Sequence, residues 1–453
     1  MLLTSTLKND DAKFIFSIVS LHNKLYGGMP ANLPVPNGTF GQEELRYYNC
    51  GKLTLINMNS KRYNIIVGIP SYNESDTITH VAEVVGEGLE QYFPDRKNII
   101  VNADNNSPDN TREAFLDART CTEKEYISTE KGIRGKGNNL LNFFNFAKQA
   151  DAKIIMVVDA DLKSITREWV EYLGKPIVNG YDYVSPLYSR HQFDGTITNH
   201  ICYPVMFGML SMAIRQPIGG EFAFSPRLMN YWLKQPWSDS TKQYGIDIFM
   251  SLNAVLGGFK ICQSGLGSKV HKASAPKLGT MFEQVIETLL TILVQKKDIW
   301  LTRGNSDVVV PEIFGLRTLT EPQELDFDIH DLKNKCKVAY SKYVTSIKEL
   351  LNSYAFSRVD EMFTMDVYDM DILLWTQIFY NLVYRYDISS NDEERIKIVN
   401  SLKPLYFARS LSFNYDTWKY NVKYSEEEIR NQALGFASQK YYLWGLYSKR
   451  SKT

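Results

Sequence analysis

The sequence of 453 residues lacks both a long apolar run and an excess of either charge. Its most apolar early segment, residues 14–19, is much shorter than the roughly 20 apolar residues that a membrane-spanning helix needs. Lysine plus arginine number 51 and aspartate plus glutamate number 51, whereas nucleic-acid-binding proteins usually carry a basic excess. Residues 1–13 also lack the basic and apolar parts of a secretory signal. We therefore predict no transmembrane segment and no nucleic-acid partner.

Cysteine is also scarce. The five cysteines are scattered, odd in number and without paired spacing, so neither a disulfide framework nor a zinc site is expected. This pattern favours a reducing, cytoplasmic compartment as the default. Hydrophobic residues make up 44% and charged residues 23%, which is typical of a folded chain rather than a disordered one.

The chain divides into three segments that differ in composition and in the pattern of their apolar residues. Residues 1–62 predict an N-terminal extension with a short amphipathic helix at 11–25 and a Gly/Pro/Asn-rich loop at 27–41. Residues 63–276 alternate short apolar strands with amphipathic helices, which indicates an α/β fold with a mostly parallel sheet. Residues 277–453 are predominantly helical in pattern and rich in aromatic side chains.

Polar residues follow the predicted strands, at the edge where parallel sheets bind ligands. Asp159-Ala160-Asp161 comes directly after the apolar run 154–158. Two carboxylates so spaced can hold a divalent ion against a diphosphate, although a helix cap is the alternative. Pro70-Ser71-Tyr72-Asn73-Glu74 ends the first strand and could contact a nucleobase or ribose, or open the next helix. Asp104 ends the second strand and could contact ribose or form a turn.

Later segments add further candidates. Residues 131–139 combine three glycines with three cations before a helix, which suits a diphosphate, although a plain basic turn remains open. Glu221 follows two glycines and could bind sugar hydroxyls, whereas Asp247 could be only a first-turn helix acid. His271 lies beyond a predicted strand and is a candidate third metal ligand. Arg190 and His191 could contact an anionic acceptor.

Six motifs occur in the same order as in a known family and give the chain a resemblance to it. The chain resembles nucleotide-sugar glycosyltransferases of the GT-A fold, and among them the retaining enzymes that make glucosylglycerate, glucosyl-3-phosphoglycerate and mannosylglycerate. The likeness spans about residues 63–290. Its motifs are, in order, P-x-Y-N-E, R-G-K-G, V-D-A-D, Q-P-I-G-G-E, G-I-D and V-H-K.

The resemblance implies a role for each matching residue. The nucleotide-binding residues would be Pro70, Tyr72, Glu74 and Asp104, with Gly135, Lys136 and Ala160 beside the diphosphate or donor sugar. Asp159, Asp161 and His271 would coordinate the metal. Glu221 would face the donor sugar, Asp247 would lie near the acceptor, and both join Lys136 as catalytic candidates. The segment 189–192 is only loosely like the family, which leaves the acceptor open.

The implied reaction depends on Mg²⁺ or Mn²⁺. A hexose, expected to be glucose, would pass from a GDP- or UDP-hexose to a small anionic hydroxy acid such as glycerate or 3-phosphoglycerate, with retention. The metal would neutralise the departing diphosphate. Three alternatives stay open: an inverting transferase with Asp247 or Glu221 as general base, a nucleotidyltransferase, and a non-catalytic nucleotide-sugar-binding protein.

Aromatic residues make up 13% of the chain. Many lie beyond residue 340 at helical spacing, which is more typical of a core or an interface than of sugar platforms. We therefore predict that the C-terminal helices bury large surfaces, against the catalytic domain or in a homodimer.

Overall fold

The computed structural model describes residues 43–47, 53–57, 62–272, 278–302, 307–318, 320–322, 324–325 and 327–450. The predicted helix 11–25 and loop 27–41 lie outside these residues. Within the N-terminal extension, strands β1 (Glu43–Tyr47) and β2 (Leu53–Asn57) form an antiparallel pair, which was not predicted from the sequence. Residues 62–118 and 122–453 form one compact unit of their own.

The centre of this unit is an eight-stranded, mostly parallel sheet with the order β10-β9-β7-β8-β6-β3-β4-β5. Only β8 runs antiparallel to its neighbours. The strands are β3 (Ile65–Ser71), β4 (Asn98–Asp104), β5 (Glu123–Ser128), β6 (Ile154–Val157), β7 (Tyr183–Ser189), β8 (Phe222–Phe224), β9 (Ile261–Ser268) and β10 (Ile313–Gly315). The short strand β10 lies within the segment predicted to be helical and extends the sheet beside β9.

The helices follow the amphipathic patterns in the sequence. Those of the α/β part are α1 (Ile78–Tyr92), α2 (Thr111–Asp117), α3 (Lys136–Gln149), α4 (Arg167–Val178), α5 (Tyr203–Gly208), α6 (Pro226–Trp232) and α7 (Ile246–Leu256), and a π-helical turn (Thr198–Cys202) leads into α5. The C-terminal helices are α8 (Leu278–Gln295), α9 (Lys297–Thr302), α10 (Ile329–Leu350), α11 (Ser353–Met365), α12 (Ile372–Ile388), α13 (Asp392–Thr417), α14 (Val422–Ser438) and α15 (Lys440–Arg450). None of the helices described is long and apolar enough to cross a membrane.

Two apolar cores cover the two faces of the sheet. Helices α1 and α4 pack on one face, where Val67 and Met156 point. The other core begins at sheet residues such as Ile66 and continues without a break into the C-terminal helices. Helix α7 belongs to this second core and is buried at every position, so it is an internal layer rather than a surface helix.

The predicted fold class, a GT-A-like α/β sheet with a helical C-terminal region, is confirmed by this architecture and by the family match given below. The predicted burial of C-terminal aromatics is confirmed for Trp375, Phe379, Tyr380 and Tyr386, which belong to the continuous core. Tyr441, by contrast, is exposed. A homodimer through these helices stays a prediction.

Candidate active site

A cavity of about 630 Å³ opens at the carboxyl edge of the sheet. Parallel strands all end at this edge, so the residues that follow β3, β6, β7 and β9 meet there. Because β8 runs the other way, the segment that precedes it reaches the same edge. Ten of the predicted site residues line the cavity: Pro70, Tyr72, Glu74, Gly135, Lys136, Asp159, Ala160, Asp161, Asp247 and His271. The other two, Asp104 and Glu221, do not.

A chain of ion pairs borders this cavity, partly exposed at Lys136 and Asp159 and fully buried at Glu221. The Lys136 ammonium lies 2.9 Å from one Asp159 oxygen and 3.3 Å from the Asp247 carboxylate. The Lys269 ammonium lies 3.2 Å from the other Asp159 oxygen and 2.9 Å from Glu221. Cation and anion thus alternate in the order Asp247, Lys136, Asp159, Lys269, Glu221. Three carboxyl groups thus face two lysines.

Burial and the two lysines set the ionisation of these acids. Burial raises the pKa of Asp159, but the two lysines outweigh it and hold the pKa well below its usual range. For Glu221 burial dominates over Lys269 and raises the pKa to about 7. Burial likewise raises the pKa of Asp247 despite the nearby Lys136. The cluster therefore holds one firmly ionised acid between two that accept protons more readily.

Gly220 allows the cluster to form. Its φ of +97° lies in the region that favours glycine, and a Cβ there would stand 2.2 Å from an Asp159 oxygen. The next residue, Glu221, was predicted to face the donor sugar. The structure places its carboxylate behind the cavity wall instead, where it accepts hydrogen bonds from Lys269 and the Tyr188 hydroxyl. Its contacts suit a residue that positions Lys269 and Asp159.

Sequence reasoning did not assign a role to Lys269, whose side chain is 3% exposed and joins two acids. The signal was present in Lys269-Val270-His271, because alternate residues of an extended segment point to the same side. Lys269 and His271 both line the cavity, as this alternation requires.

Three side chains, those of Asp159, Asp161 and His271, are the predicted metal ligands. Within the described residues, no group of three or more His, Cys, Asp or Glu side chains is arranged to hold a metal ion. Both Asp159 oxygens are engaged by lysines. Asp161, by contrast, is only partly buried and its carboxylate has no hydrogen bond or ion pair to the described residues, while its charge is felt at His271.

The imidazole of His271 has one ring nitrogen available to a metal. Its Nδ1 lies 2.7 Å from the Lys272 carbonyl oxygen, which can only accept a hydrogen bond. Nδ1 must therefore carry the proton, and Nε2 keeps a free lone pair, as a metal-binding histidine requires. Burial, together with Lys269 and Arg190, lowers the pKa of His271 and favours this neutral form. One carboxylate and one imidazole fit Mg²⁺ or Mn²⁺ when a diphosphate supplies the remaining oxygens.

One end of the cavity is built from the loops after β3 and before α3. The Arg134 guanidinium lies 4.8 Å from the centre of the Tyr72 ring. Glu74 pairs with Lys272 at 2.7 Å, and burial still raises the pKa of Glu74. Asn105 accepts a hydrogen bond of 2.7 Å from the Gly135 amide and so fixes the glycine loop to the end of β4.

Asp104 lies outside this arrangement. It is fully buried and accepts hydrogen bonds from the Ser71 hydroxyl at 2.7 Å, the Ser107 hydroxyl at 2.6 Å and the Tyr126 hydroxyl at 3.0 Å. The Ser107 amide also donates to it at 2.7 Å, which closes a turn. Of the two interpretations left open by the sequence, these contacts match the turn and leave no free oxygen toward the cavity.

The far end of the cavity is bordered by the loop after β7. Arg190 Nε lies 3.5 Å from an Asp194 oxygen. Between them, Gln192 donates to the Thr417 carbonyl at 3.2 Å and accepts from the Ser425 hydroxyl at 2.9 Å. The loop is thus tied to α13 and α14, more than 200 residues away in the sequence.

Comparison with known proteins agrees with this architecture. Residues 66–227 match the family described as glycosyl transferase family 2. The match runs from β3 to β8 and includes Glu74, Lys136 and Asp159, and it ends before Asp247 and His271. It confirms the resemblance predicted from the motifs. The chain carries a glycosyltransferase domain of the GT-A fold and is a glycosyltransferase.

Solved structures give a weaker likeness. A glucosyl-3-phosphoglycerate synthase from Mycobacterium tuberculosis, solved with Mn²⁺, UDP and phosphoglyceric acid, is 26% identical, with 51% of this chain and 78% of that chain covered and a TM-score of 0.42. The same enzyme with Mg²⁺ and UDP is 25% identical, with 51% and 79% covered and a TM-score of 0.42. A structure described only as a mycobacterial protein is 28% identical, with 51% and 74% covered and a TM-score of 0.42. No curated protein matches the chain.

Proposed function

We propose that this protein transfers a hexose from a nucleoside diphosphate sugar to the hydroxyl of a small hydroxy acid, with a divalent metal and with retention at the anomeric carbon. The observation that carries the proposal is the convergence of Asp161, His271 and the Lys136–Asp159 pair in one cavity at the carboxyl edge of the sheet. Mn²⁺, Mg²⁺ and UDP are named with the solved glucosyl-3-phosphoglycerate synthases, which supports the same classes of ligand here.

Each end of the cavity has a separate task in this proposal. Asp161 and His271 would hold the metal, which when bound neutralises the charge on the departing diphosphate. Lys136 keeps its positive charge because Asp159 and Asp247 outweigh the effect of burial and raise its pKa. That fixed charge would stand near the diphosphate without needing to reorganise during the reaction. Arg134 and Tyr72 would border the nucleotide.

The state of the carboxylates bears on how a retaining transfer would proceed. Asp159, Glu221 and Asp247 are each paired with Lys136 or Lys269, so none is free to form a covalent glycosyl intermediate. The acceptor oxygen would instead attack the anomeric carbon on the side of the leaving group. The bond from that carbon to the diphosphate breaks with its electron pair leaving on the diphosphate, and an oxygen of the diphosphate takes the acceptor proton.

An inverting transfer is the second candidate, because Asp247 lines the cavity and burial raises its pKa. A raised pKa makes a carboxylate a better general base near neutral pH. Proton NMR of the product separates the two mechanisms, since the coupling constant of the anomeric proton reports its configuration.

Substitution of Asp161 tests the proposed metal site. In Asp161→Ala we expect metal-dependent release of nucleoside diphosphate to fall at least about 100-fold, because the metal loses its one free carboxylate. Asp95→Ala, which removes an exposed carboxylate far from the cavity, is the matched control and should stay within twofold of the parent. Turnover of Asp161→Ala close to that of the parent would refute the assignment.

A further inference from the structure

One part of the cavity, called its second half below, contains none of the residues assigned above to the metal, the diphosphate or the nucleotide. Its wall is apolar and comes from the loop after β7, from α8, from described residues just before α10 and from α10 itself. Six of the residues that form it are Phe193, Met281, Val285, Leu325, Phe327 and Leu332. Such a wall is typical of a site that takes an apolar group out of water.

Packing makes this wall a formed surface. The Phe193 ring lies 4.9 Å from the Phe327 ring and 5.1 Å from the Trp418 ring. Trp418 is 47% exposed, so this aromatic cluster stands at the rim of the cavity. Met281 and Val285 are one turn apart on α8 and therefore present one face to the cavity.

The charges in this half do not suit a phosphate. Among the described lining residues that come from the loop after β7 and from the C-terminal segments, the one cation is Arg190, which already faces Asp194. The carboxylates of Asp194 and Glu324 lie in the same half. The Asp194 and Glu324 carboxylates would repel a phosphate there. Arg190 is partly neutralised by Asp194, and Lys269, whose charge also reaches Asp194, is already held by Asp159 and Glu221. A lone carboxylate needs only Arg190.

We propose that the acceptor is a hydroxy acid without phosphate that carries an apolar body of about the size of a phenyl ring. Its carboxylate lies at Arg190, its hydroxyl points toward the donor sugar, and its apolar body fills the space between Phe193, Val285 and Leu332. This inference rests on the proposed function, since it requires a donor sugar at the other end of the cavity.

An acceptor panel tests it. Nucleoside diphosphate release is measured with glycerate, 3-phosphoglycerate and 3-phenyllactate, using whichever of UDP-glucose and GDP-mannose the enzyme binds in the presence of Mn²⁺. We expect kcat/KM for 3-phenyllactate to exceed that of the other two acceptors at least tenfold. Equal values, or a preference for 3-phosphoglycerate, would overturn the inference.

Variants locate the effect in the apolar half. Phe193→Ala and Leu332→Ala should each lower kcat/KM for 3-phenyllactate at least tenfold, and lower that for glycerate by a markedly smaller factor. Tyr354→Ala, which removes an exposed aromatic ring outside the cavity, is the control and should change neither. Equal losses with both acceptors would assign these residues to stability alone and overturn the inference.

A separate measurement keeps the two proposals distinguishable. Donor binding with Mn²⁺ is followed by calorimetry on the same preparations. Binding of neither nucleotide sugar would contradict the proposed function itself. Metal-dependent donor binding with transfer to glycerate but no gain for 3-phenyllactate would leave the proposed function standing and refute the apolar acceptor.

Discussion

Replacing Lys269 by methionine removes the cation that joins two buried acids. Its side chain is 3% exposed and that of Glu221 is 0% exposed, so the charge left on Glu221 has no water to solvate it. Removing one partner of a buried ion pair costs about 3–5 kcal/mol. We therefore expect the free energy of unfolding of Lys269→Met to fall by about that amount at pH 8.

The chain offers a matched control. Lys153 pairs with Asp151 at 2.9 Å, close to the distance in the buried pair, but the two side chains are 57% and 54% exposed. Exposed pairs contribute about 0–1 kcal/mol. Lys153→Met should therefore lower the free energy of unfolding by less than about 1 kcal/mol. Urea denaturation followed by circular dichroism compares the two variants.

The cost of losing Lys269 should also depend on pH. Burial raises the pKa of Glu221 to about 7 from a usual value of 4.5, so the folded protein holds a proton that the unfolded chain releases. The contribution of Glu221 to stability is therefore complete below about pH 4.5 and is lost as the pH rises through 7. Without Lys269 the proton is held more tightly still. Lys269→Met should thus be closer to the parent at pH 5 than at pH 8.

A double variant isolates the cause. Adding Glu221→Gln to Lys269→Met removes the stranded charge and should restore part of the lost stability at pH 8. Two results would refute this reasoning: a loss of stability for Lys269→Met as small as that for Lys153→Met, or no recovery in the double variant. Either would mean that Lys269 does not stabilise the protein by compensating the buried charge of Glu221.

Three further outcomes are expected. Gly220→Ala should lower activity at least tenfold, because its Cβ displaces the Asp159 carboxylate, and steady-state kinetics on the folded variant measures this. Asp104→Ala should lower the free energy of unfolding by about 3 kcal/mol, as three hydroxyl donors lose their acceptor, while the KM for the donor changes less than threefold. His271→Ala should weaken Mn²⁺ binding in the presence of nucleoside diphosphate about 10-fold or more, by calorimetry or electron paramagnetic resonance.

The sheet edge was predictable because parallel strands obey a simple rule. Short apolar runs gave the strands, and the polar residues after them had to meet at one edge, as Glu74, Asp159 and His271 do. Side-chain direction at a strand end was harder, since Asp104 turns into the structure to satisfy three hydroxyls. No local pattern distinguishes that turn from a ligand contact.

The rest of the cavity could not be predicted from local patterns. Phe193 and Leu332 are far apart in sequence and share a wall only because the C-terminal helices pack over the sheet edge. Amphipathic periodicity indicates that such helices bury a face, but it does not say what that face covers. The pairing of Lys269 with both Asp159 and Glu221 depends in the same way on three segments that only the folded chain brings together.

The apolar core that joins the sheet and α7 to the C-terminal helices has a consequence for folding during synthesis. A ribosome releases the strands and α7 well before α12 and α13, whose side chains Trp375 and Leu405 belong to the same core. Until those late helices emerge, the nascent chain presents apolar side chains to solvent or to a chaperone. A gene fragment that ends at residue 276 should therefore yield insoluble protein, and the catalytic segment should not be transferable to another protein without its C-terminal helices.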